Sequence, residues 1–272
     1  MEILSGCSSV VVALSGGVDS AVLLALAVEA LGPDRVLAVT GRSAAVPALD
    51  LDDARRVAGA LGAAHEVVDT REIDRPGYRA NAGDRCFHCR TELFEILVKI
   101  ARQREFSSIV YGAISDDLGD FRPGMSAAER HGVRAPLLEA GIGKADVREL
   151  AREAGLAVRD KPAAACLSSR LPVGTEVTPE RLARIGRAEE AIRQLGFRQF
   201  RVRHHGEVAR LEIEPEALAT ALREDLREQL VAVVKAAGYR FVALDLEGYR
   251  SGSLNPETPR LHRIAPARDG GQ

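Results

Sequence analysis

The chain has 272 residues, of which 46% are hydrophobic and 28% are charged, and its formal net charge is -2. This composition permits a large core, or a main domain with a smaller companion, and it argues against a basic surface that recruits nucleic acid. Because there is no long apolar run, no signal-like N-terminus and only four cysteines, we expect a cytoplasmic protein without a membrane segment or disulfide framework.

The first predicted unit is a strand, a glycine-rich loop and a helix. Val10–Leu14 is typical of a buried parallel strand, and Ala21–Leu31 is typical of a helix. Glycines let a backbone approach a ligand closely, and a helix N-terminus favours an anion. The unit therefore predicts a phosphate-binding loop formed by Ser15, Gly16, Gly17, Val18, Asp19 and Ser20.

The loop differs from two common phosphate-binding motifs. It lacks the lysine of a Walker loop, and it lacks the GxGxxG spacing of dinucleotide-binding folds. Asp19 instead supplies a carboxylate that can help to hold Mg²⁺ against phosphate oxygens. The sequence SGGVDS resembles the PP-loop of the N-type ATP pyrophosphatases, and this resemblance implies that ATP is cleaved between its α- and β-phosphates.

Further strands and helices alternate after this unit, which predicts an α/β fold with a doubly wound parallel sheet over residues 1–172. Thr40, Asp116 and Asp117 follow or end predicted strands, where such folds bind ligands, and are nucleotide-binding candidates. The elements expected here are strands Val36–Thr40, His65–Asp69 and Ser108–Tyr111 and helices Asp50–Leu61, Arg90–Arg104 and Lys144–Ala154, the last capped by Gly155.

The pattern changes near residue 173 and predicts a smaller α+β domain over residues 173–255. We expect an αββαβ order in which the two central strands flank a tight turn at His205-Gly206. Its elements are a helix from Thr178 to Leu195, strands Gln199–His204 and Glu207–Glu214, a helix Pro215–Ala236 and a strand Tyr239–Leu246. Residues 256–272 are expected to form a disordered tail.

Cys166 is the candidate nucleophile. It lies in a stretch of small residues with Lys161 and Arg170 on either side, and neighbouring cations favour a thiolate. A thiolate attacks an activated acyl-adenylate well, so a cysteine in an ATP-cleaving enzyme has a chemical use. The alternative is that Cys166 is a small buried hydrophobic residue.

Several segments after the loop occur in an order and spacing that resemble the LarE family of ATP-dependent sacrificial sulfur transferases. The resemblance covers residues 8–255, and the combination of the loop with the RPG and ACLSSR motifs makes it specific. The segments are Asp84–Cys89, Ser115–Gly124, Ala135–Leu137, Lys161–Arg170 and Arg201–Arg203.

The resemblance implies a reaction in nickel-pincer nucleotide cofactor synthesis. ATP adenylates a carboxylate of pyridinium-3,5-biscarboxylic acid mononucleotide, and Cys166 attacks to form a thioester. Cleavage of the cysteine Cβ–S bond then leaves a thiocarboxylate on the substrate and dehydroalanine on the protein. Some relatives hold an iron–sulfur cluster on three cysteines, but Cys166 is the only cysteine after Cys89, so no cluster is expected. Relatives form hexamers, so a homo-oligomer is expected.

The family also implies roles for polar residues around the cysteine. Arg201 and Arg203 would clamp a phosphate, and their spacing on a strand puts both on one face. Ser169 and Arg170 would contact the substrate. Arg122 would orient the adenylate or the substrate, or alternatively stabilise a turn.

Two sets of residues keep open alternatives. Glu190 and Glu212 would bind a divalent metal or transfer a proton near Cys166, or they are solvated surface charges. Cys86 and Cys89 form a single CxxC motif, which fits inert thiols, half of a metal site or a redox pair.

Three other functions fit the loop less well. A tRNA thiolase would show a basic surface or an RNA-binding module. An ammonia-dependent synthetase of the NAD or GMP type needs no thiol at Cys166. A nucleotide sensor would bind ATP without making pyrophosphate.

Overall fold

The computed structural model describes residues 2–119, 123–162 and 165–250. Helices and strands alternate from the N-terminus to about residue 160, and a second group of elements follows. In chain order they are α1 Glu2–Ser5, β1 Val10–Ala13, α2 Val18–Leu31, β2 Val36–Arg42, α3 Ala48–Ala60, β3 Ala64–Asp69, α4 Pro76–Ala80, α5 Arg85–Gln103, β4 Ser108–Tyr111, α6 Pro123–Arg130, α7 Pro136–Glu139, α8 Lys144–Glu153, α9 Pro179–Gln194, β5 Phe200–His205, β6 Val208–Ile213, α10 Leu218–Ala221, α11 Glu224–Ala236 and β7 Phe241–Leu244.

The first four strands form a parallel sheet in the order β3-β2-β1-β4. Val10 in the central strand β1 pairs with Val36 of β2 on one side and Ser108 of β4 on the other. The chain leaves β1 towards β2 and returns to the opposite side for β4, so the order reverses between β1 and β4. Ligands of open α/β sheets bind at this reversal, beyond the carboxyl ends of the strands.

Helices cover both faces of this sheet, which confirms the doubly wound α/β prediction. On one face, α2, α3 and α8 pack against alternate residues of β1 such as Val10 and Val12. On the other face, α5 and α6 pack against Val11 and the intervening side chains of β2 and β4. Because both faces are buried, β1 is a continuous run of apolar residues rather than an alternating one.

The second group of elements confirms the predicted smaller α+β unit. β5 and β6 are antiparallel and are joined at Gly206, whose φ of +64° suits a tight turn. β7 lies parallel to β6, so the sheet is mixed, with the order β5-β6-β7. Helices α9 and α11 contribute Ile192 and Val234 to the core of this sheet.

Most elements agree with the predicted bounds to within one or two residues, and three helices differ by more. Helix α2 begins at Val18, so Val18, Asp19 and Ser20 form its first turn rather than the end of the loop. Helix α5 begins at Arg85, which places the whole CxxC motif on a helix. The predicted helix Pro215–Ala236 is interrupted at Arg223, whose ψ of 139° is not helical, so α11 begins at Glu224.

Two further predictions concern the C-terminal tail and membrane-spanning segments. The disordered tail at residues 256–272 lies outside the described residues. In the ranges that the structure describes, no helix combines the length and apolar character needed to cross a membrane.

Candidate active site

A cavity of about 730 Å³ lies beyond the carboxyl ends of the parallel strands, where the two groups of elements meet. Its wall on the side of the parallel sheet includes the predicted phosphate loop. Another part of the lining, here called the cysteine wall, includes Cys166, Ser169 and the two arginines Arg201 and Arg203 of β5. The fold therefore brings the loop, the cysteine and the arginine pair, which are far apart in sequence, to one cavity.

The phosphate loop is closed by hydrogen bonds between its own residues. The backbone amide of Ser15 donates to Oγ of Ser20 (3.1 Å), and Ser20 Oγ donates to the carbonyl of Gly17 (3.0 Å). The first intrahelical bond of α2 runs from the amide of Ala21 to the carbonyl of Gly17 (3.1 Å). As at any helix N-terminus, the amides that precede Ala21 in the first turn have no acceptor within the helix, so they can bind an anion.

The back of the loop packs tightly against α3. Gly16 has a φ of +74°, and a Cβ at this position would lie 2.2 Å from the carbonyl oxygen of Asp50. Nζ of Lys161 donates to the carbonyl of Gly16 (2.9 Å) and to the carboxylates of Asp50 (2.8 Å) and Asp53 (2.5 Å). Lys161 is therefore an anchor of the loop, and two carboxylates balance its charge.

The carboxylates predicted to bind nucleotide or metal have defined partners at the mouth of the loop. Asp19 Oδ1 accepts a hydrogen bond from Nζ of Lys144 (2.7 Å). Asp116 Oδ2 accepts from the amide of Lys144 (2.9 Å), and Asp117 Oδ2 accepts from the amide of Ile114 (3.1 Å). All three carboxylates line the cavity, and Asp116 and Asp117 also fix local backbone.

Of the two remaining residues predicted to bind nucleotide, the structure describes Thr40 but not Arg122. Thr40 is buried and lines the cavity, and its Oγ1 donates to the carbonyl of Leu14 (2.8 Å) while lying 2.8 Å from Nε2 of His65. Arg122 lies outside the described residues.

Cys166 is half-buried and directly precedes a single helical turn, Leu167–Arg170. The amide of Leu167 donates to the carbonyl of Ala45, just beyond β2 (2.8 Å). Oγ of Ser168 lies 2.6 Å from the hydroxyl of Tyr78 in α4. These contacts hold the cysteine segment against the end of the parallel sheet.

Arg170 has a different position from the one predicted. Its guanidinium is buried and forms two parallel bonds with Glu189, from Nε to Oε1 (2.8 Å) and from Nη2 to Oε2 (2.9 Å). Nη1 donates to the carbonyls of Ala165 (2.7 Å) and Cys166 (3.0 Å) and to Oγ of Ser169 (2.8 Å). Arg170 is outside the cavity lining and fixes the cysteine segment, and its contact with a substrate stays a prediction.

The arginine pair on β5 does face the cavity. Arg203 is buried, and its guanidinium binds Oε2 of Glu212 on β6 (2.7 Å from Nη2) and the carbonyl of Ser169 (3.0 Å from Nη1). Arg201 lies over the ring of Tyr249, 5.0 Å from its centroid. Burial, followed by the charge of Arg170, lowers the pKa of Arg201, and a bound anion would reverse that effect.

The two glutamates predicted near the cysteine behave differently. Glu212 is fully buried behind the arginines, bound to Arg203 and Arg210, so it balances charge from outside the cavity lining. Glu190 is exposed and binds Arg193 (3.1 Å), which agrees with the surface-charge alternative. The adjacent Glu189 has the interior position, because it shares the buried face of α9 with Ile185 and Ile192.

Sequence reasoning did not place three residues, Glu72, Cys89 and Arg90, in the cavity that contains Cys166, although it had named Cys89 in the CxxC motif. Cys89 lines it from α5, and burial followed by the charges of Glu72 and Cys166 raises its pKa. Glu72 is 3% exposed; Ser43 donates to its Oε1 (2.5 Å), while its Oε2 has no partner among the described residues. Nη1 of Arg90 is likewise buried without a partner there, with the guanidinium 5.1 Å from the ring centroid of Tyr111.

Among the described residues, no group of three or more histidine, cysteine, aspartate or glutamate side chains has an arrangement that would hold a single metal ion. The CxxC motif therefore does not form a mononuclear site with such neighbours there. Cys86, one helical turn before Cys89, is exposed.

Comparison with known proteins agrees with this geometry. A model of the NAD synthase family matches residues 4–111, the part that contains the phosphate loop. A pyridinium-3,5-bisthiocarboxylic acid mononucleotide synthase of Lactiplantibacillus plantarum is 34% identical over 93% of this chain and 91% of its own length. This chain belongs to the LarE family. Uncharacterised proteins of Synechocystis sp. and Methanocaldococcus jannaschii are 42% identical over 90% of the chain and 30% identical over 89%, respectively, each matched over 91% of its own length.

Membership of the LarE family makes the chain a PP-loop protein of the ATP pyrophosphatase type. The family implies use of ATP.

Proposed function

We propose that the protein transfers sulfur to a carboxylate of a pyridinium dicarboxylate mononucleotide in two stages, ATP-dependent activation and acyl transfer to Cys166. The observation that carries the proposal is the single cavity that contains both the phosphate loop and the cysteine. An enzyme that used ammonia as its acceptor would need no thiol there.

Activation takes place at the phosphate loop. The substrate carboxylate attacks the α-phosphorus of ATP, the bond to the β-phosphate oxygen breaks, and pyrophosphate leaves. The loop amides and the hydroxyls of Ser15 and Ser20 are positioned to stabilise the charge that develops on the phosphates. Asp19 presents a carboxylate in the same place, and carboxylate and phosphate oxygens are the ligands that Mg²⁺ prefers. Mg²⁺ would neutralise phosphate charge when bound.

Acyl transfer takes place at the cysteine wall. The sulfur of Cys166 bonds to the activated carbonyl carbon, and AMP leaves with the electron pair of the broken C–O bond. Loss of the Cα proton and cleavage of the Cβ–S bond then leave the sulfur on the substrate and dehydroalanine at position 166. Arg201 and Arg203 are placed to bind the phosphate of the mononucleotide during these steps.

Intact-mass measurement before and after turnover tests this proposal. Conversion of cysteine to dehydroalanine removes one H₂S, about 34 Da, and we expect peptide mapping to assign the loss to Cys166. An unchanged mass while thiocarboxylate product accumulates would contradict the sacrificial reaction.

Two variants localise the chemistry. Cys166→Ala should abolish sulfur transfer and keep substrate-dependent exchange of pyrophosphate into ATP, because the phosphate loop is intact. Cys7→Ala is the matched control, since Cys7 is buried among α1, α2 and the first sheet, remote from the cavity lining. Loss of exchange in Cys166→Ala would show that the cysteine does not act after activation.

A second candidate keeps the same activation and changes the sulfur donor. Its supporting observation is that Cys89 and Cys166 line one cavity, with Cys86 one turn from Cys89 on α5. Cysteine thiolates hold iron–sulfur clusters, and the fold brings Cys89 and Cys166, which are distant in sequence, to the same cavity. A cluster bound by Cys86, Cys89 and Cys166 would pass sulfide to the activated carboxyl group. A sulfide donor in solution would restore the cluster after each turnover, so the protein would keep its cysteines.

The same mass measurement separates the two candidates. Anaerobically purified protein that contains iron and acid-labile sulfide, and that keeps its mass through several turnovers when sulfide is added, supports the cluster. Iron-free protein that turns over once and loses about 34 Da supports the sacrificial cysteine. Cys89→Ala should abolish activity in the first case and preserve the mass loss in the second.

A further inference from the structure

One carboxylate of the cavity lining is buried with an oxygen that no group in the described part of the chain satisfies. Glu72 is 3% exposed and lines the same cavity as Cys166. Ser43 donates a hydrogen bond to its Oε1 (2.5 Å), whereas its Oε2 is buried and has no partner among the described residues. A buried carboxylate oxygen without a partner costs stability, so its presence beside a ligand cavity points to a partner supplied by the ligand.

The ends of two parallel strands fix the position of Glu72. The short helical turn that it opens, Glu72–Asp74, follows β3, and Ser43 directly follows β2. Oγ of Ser43 also accepts a hydrogen bond from the amide of Ala45 (3.2 Å), which orients this hydroxyl as a donor to Glu72. The carboxylate therefore lies at the edge of the sheet where open α/β folds bind their ligands.

We propose that Glu72 recognises the positive charge of the pyridinium ring of the substrate, and so selects a cationic ring over a neutral ring of the same shape. This inference rests on the proposed function, because it takes a pyridinium mononucleotide as the substrate. Glu72 acts by electrostatic attraction alone, so no bond to it forms or breaks. It is thus a residue that determines specificity.

The proposed acyl transfer brings the ring to the region of Glu72. When the sulfur of Cys166 bonds to the activated carbonyl carbon, the ring is attached to that same carbon. Only one ring atom separates the carbon that bears this group from the ring nitrogen, so the positive charge is near the sulfur. Glu72 acts on the same region, since burial, followed by the charges of Glu72 and Cys166, raises the pKa of Cys89.

Other sources of positive charge do not account for Glu72. Arg90 lines the same cavity, but its buried Nη1 also has no partner within the described ranges, so it does not neutralise Oε2 of Glu72. A metal ion held by the protein alone is a poor alternative, because the described residues contain no group of three or more suitable side chains. A ligand with both a cationic ring and a carboxylate matches the two opposite charges.

Calorimetric titration without ATP, using two ligands that differ in ring charge, tests the assignment. Nicotinamide mononucleotide contains a pyridinium cation, and its 1,4-dihydro form has a neutral ring on the same ribose phosphate. The natural protein should bind the cationic form more tightly by about tenfold or more. Glu72→Gln keeps the size of the side chain and the acceptor for Ser43 but removes the charge, so the preference should fall below about twofold.

The matched control is Asp74→Asn, which removes the same charge from an exposed position in the same turn, outside the cavity lining. It should leave both affinities unchanged. A preference for the cationic ring that is as large in Glu72→Gln as in the natural protein would overturn the assignment and leave the proposed function intact. Failure of the natural protein to bind either form would overturn the assignment together with the proposed substrate class.

Thermal unfolding gives a second readout that depends on no ligand. Glu72→Gln removes a buried charge whose Oε2 has no partner, so we expect the midpoint of unfolding to rise by about 2 °C or more. Asp74→Asn, at an exposed position, should shift it by less than about 2 °C. A lower midpoint in Glu72→Gln would show that the protein itself balances the charge, and would contradict the proposal.

Discussion

The two walls of the cavity bind charge in different ways. The loop wall offers backbone amides, two serine hydroxyls and a lysine whose carboxylate partner is half-exposed. The cysteine wall offers Arg203, which is paired with the buried Glu212, and behind it Arg170 is paired with the buried Glu189. The loop wall can exchange its weakly held partners for a ligand. The buried ion pairs Arg170–Glu189 and Arg203–Glu212, by contrast, form a rigid frame around the cysteine segment.

This difference separates two tasks. Activation needs groups that release one charged ligand, pyrophosphate, after each reaction, and weakly paired groups do this readily. Acyl transfer needs a thiol held in one place, and buried ion pairs are rigid because breaking one leaves a charge without solvent or partner. Ligand binding should therefore depend most on the loop wall, and folding stability on the cysteine wall.

The largest expected effect comes from breaking the frame. Glu189→Ala removes both bonds to the buried guanidinium of Arg170 and the acceptor for the amide of Val202 (3.0 Å). We expect the free energy of unfolding to fall by about 3–5 kcal/mol, measured by urea denaturation. Glu190→Ala, one residue away and exposed, should cost less than about 1 kcal/mol. Equal losses in the two variants would show that the frame does not depend on the buried pair.

The sequence allowed the loop wall to be predicted better than the cysteine wall, because the loop is local. Ser15 to Ser20 are contiguous, and their chemistry follows from a strand, two glycines and a helix N-terminus. The alternation of Arg201 and Arg203 is also local, and the structure places both on the cavity. Lys144 could not be found in this way, since its place depends on how α8 packs against α2.

There is a physical reason why sequence reasoning chose Glu190 rather than Glu189 and did not place Cys89 beside Cys166. Glu189 and Glu190 differ by about 100° around a helix, so a one-residue change moves a carboxylate from the core to solvent. The spacing of Ile185, Glu189 and Ile192 was the available signal, because residues three and four apart share a face. Nothing local indicates that Cys89 would lie beside Cys166, which depends on α5 and the Leu167–Arg170 turn meeting at the end of the first sheet.

An intermediate effect is expected from the loop wall. Gly16→Ala forces a Cβ to 2.2 Å from the carbonyl oxygen of Asp50 at a φ of +74°. A left-handed residue and overpacking each cost about 1–3 kcal/mol, and the displaced loop should lose ATP affinity by more than about tenfold. Gly17→Ala is the control, because its φ is −89° and the nearest atom to the new Cβ, Oγ of Ser15, is 3.4 Å away. Similar ATP affinities for the two variants, measured by calorimetry, would contradict a loop held by close packing at Gly16.

The smallest expected effect concerns the other face of the strand that carries the arginines. His204 points away from the cavity into the core of the second sheet, where its Nδ1 lies 3.1 Å from the hydroxyl of Tyr239. Burial lowers the pKa of His204 to about 4, against about 6.5 in an unfolded chain. Between these two values the unfolded chain binds more protons than the folded one, so stability falls as pH falls from about 6.5 towards about 4. Urea midpoints across this range should fall less steeply in His204→Gln than in the natural sequence. An identical slope in both would show that His204 does not titrate on unfolding, and the frame would then derive its acid sensitivity from its carboxylates alone.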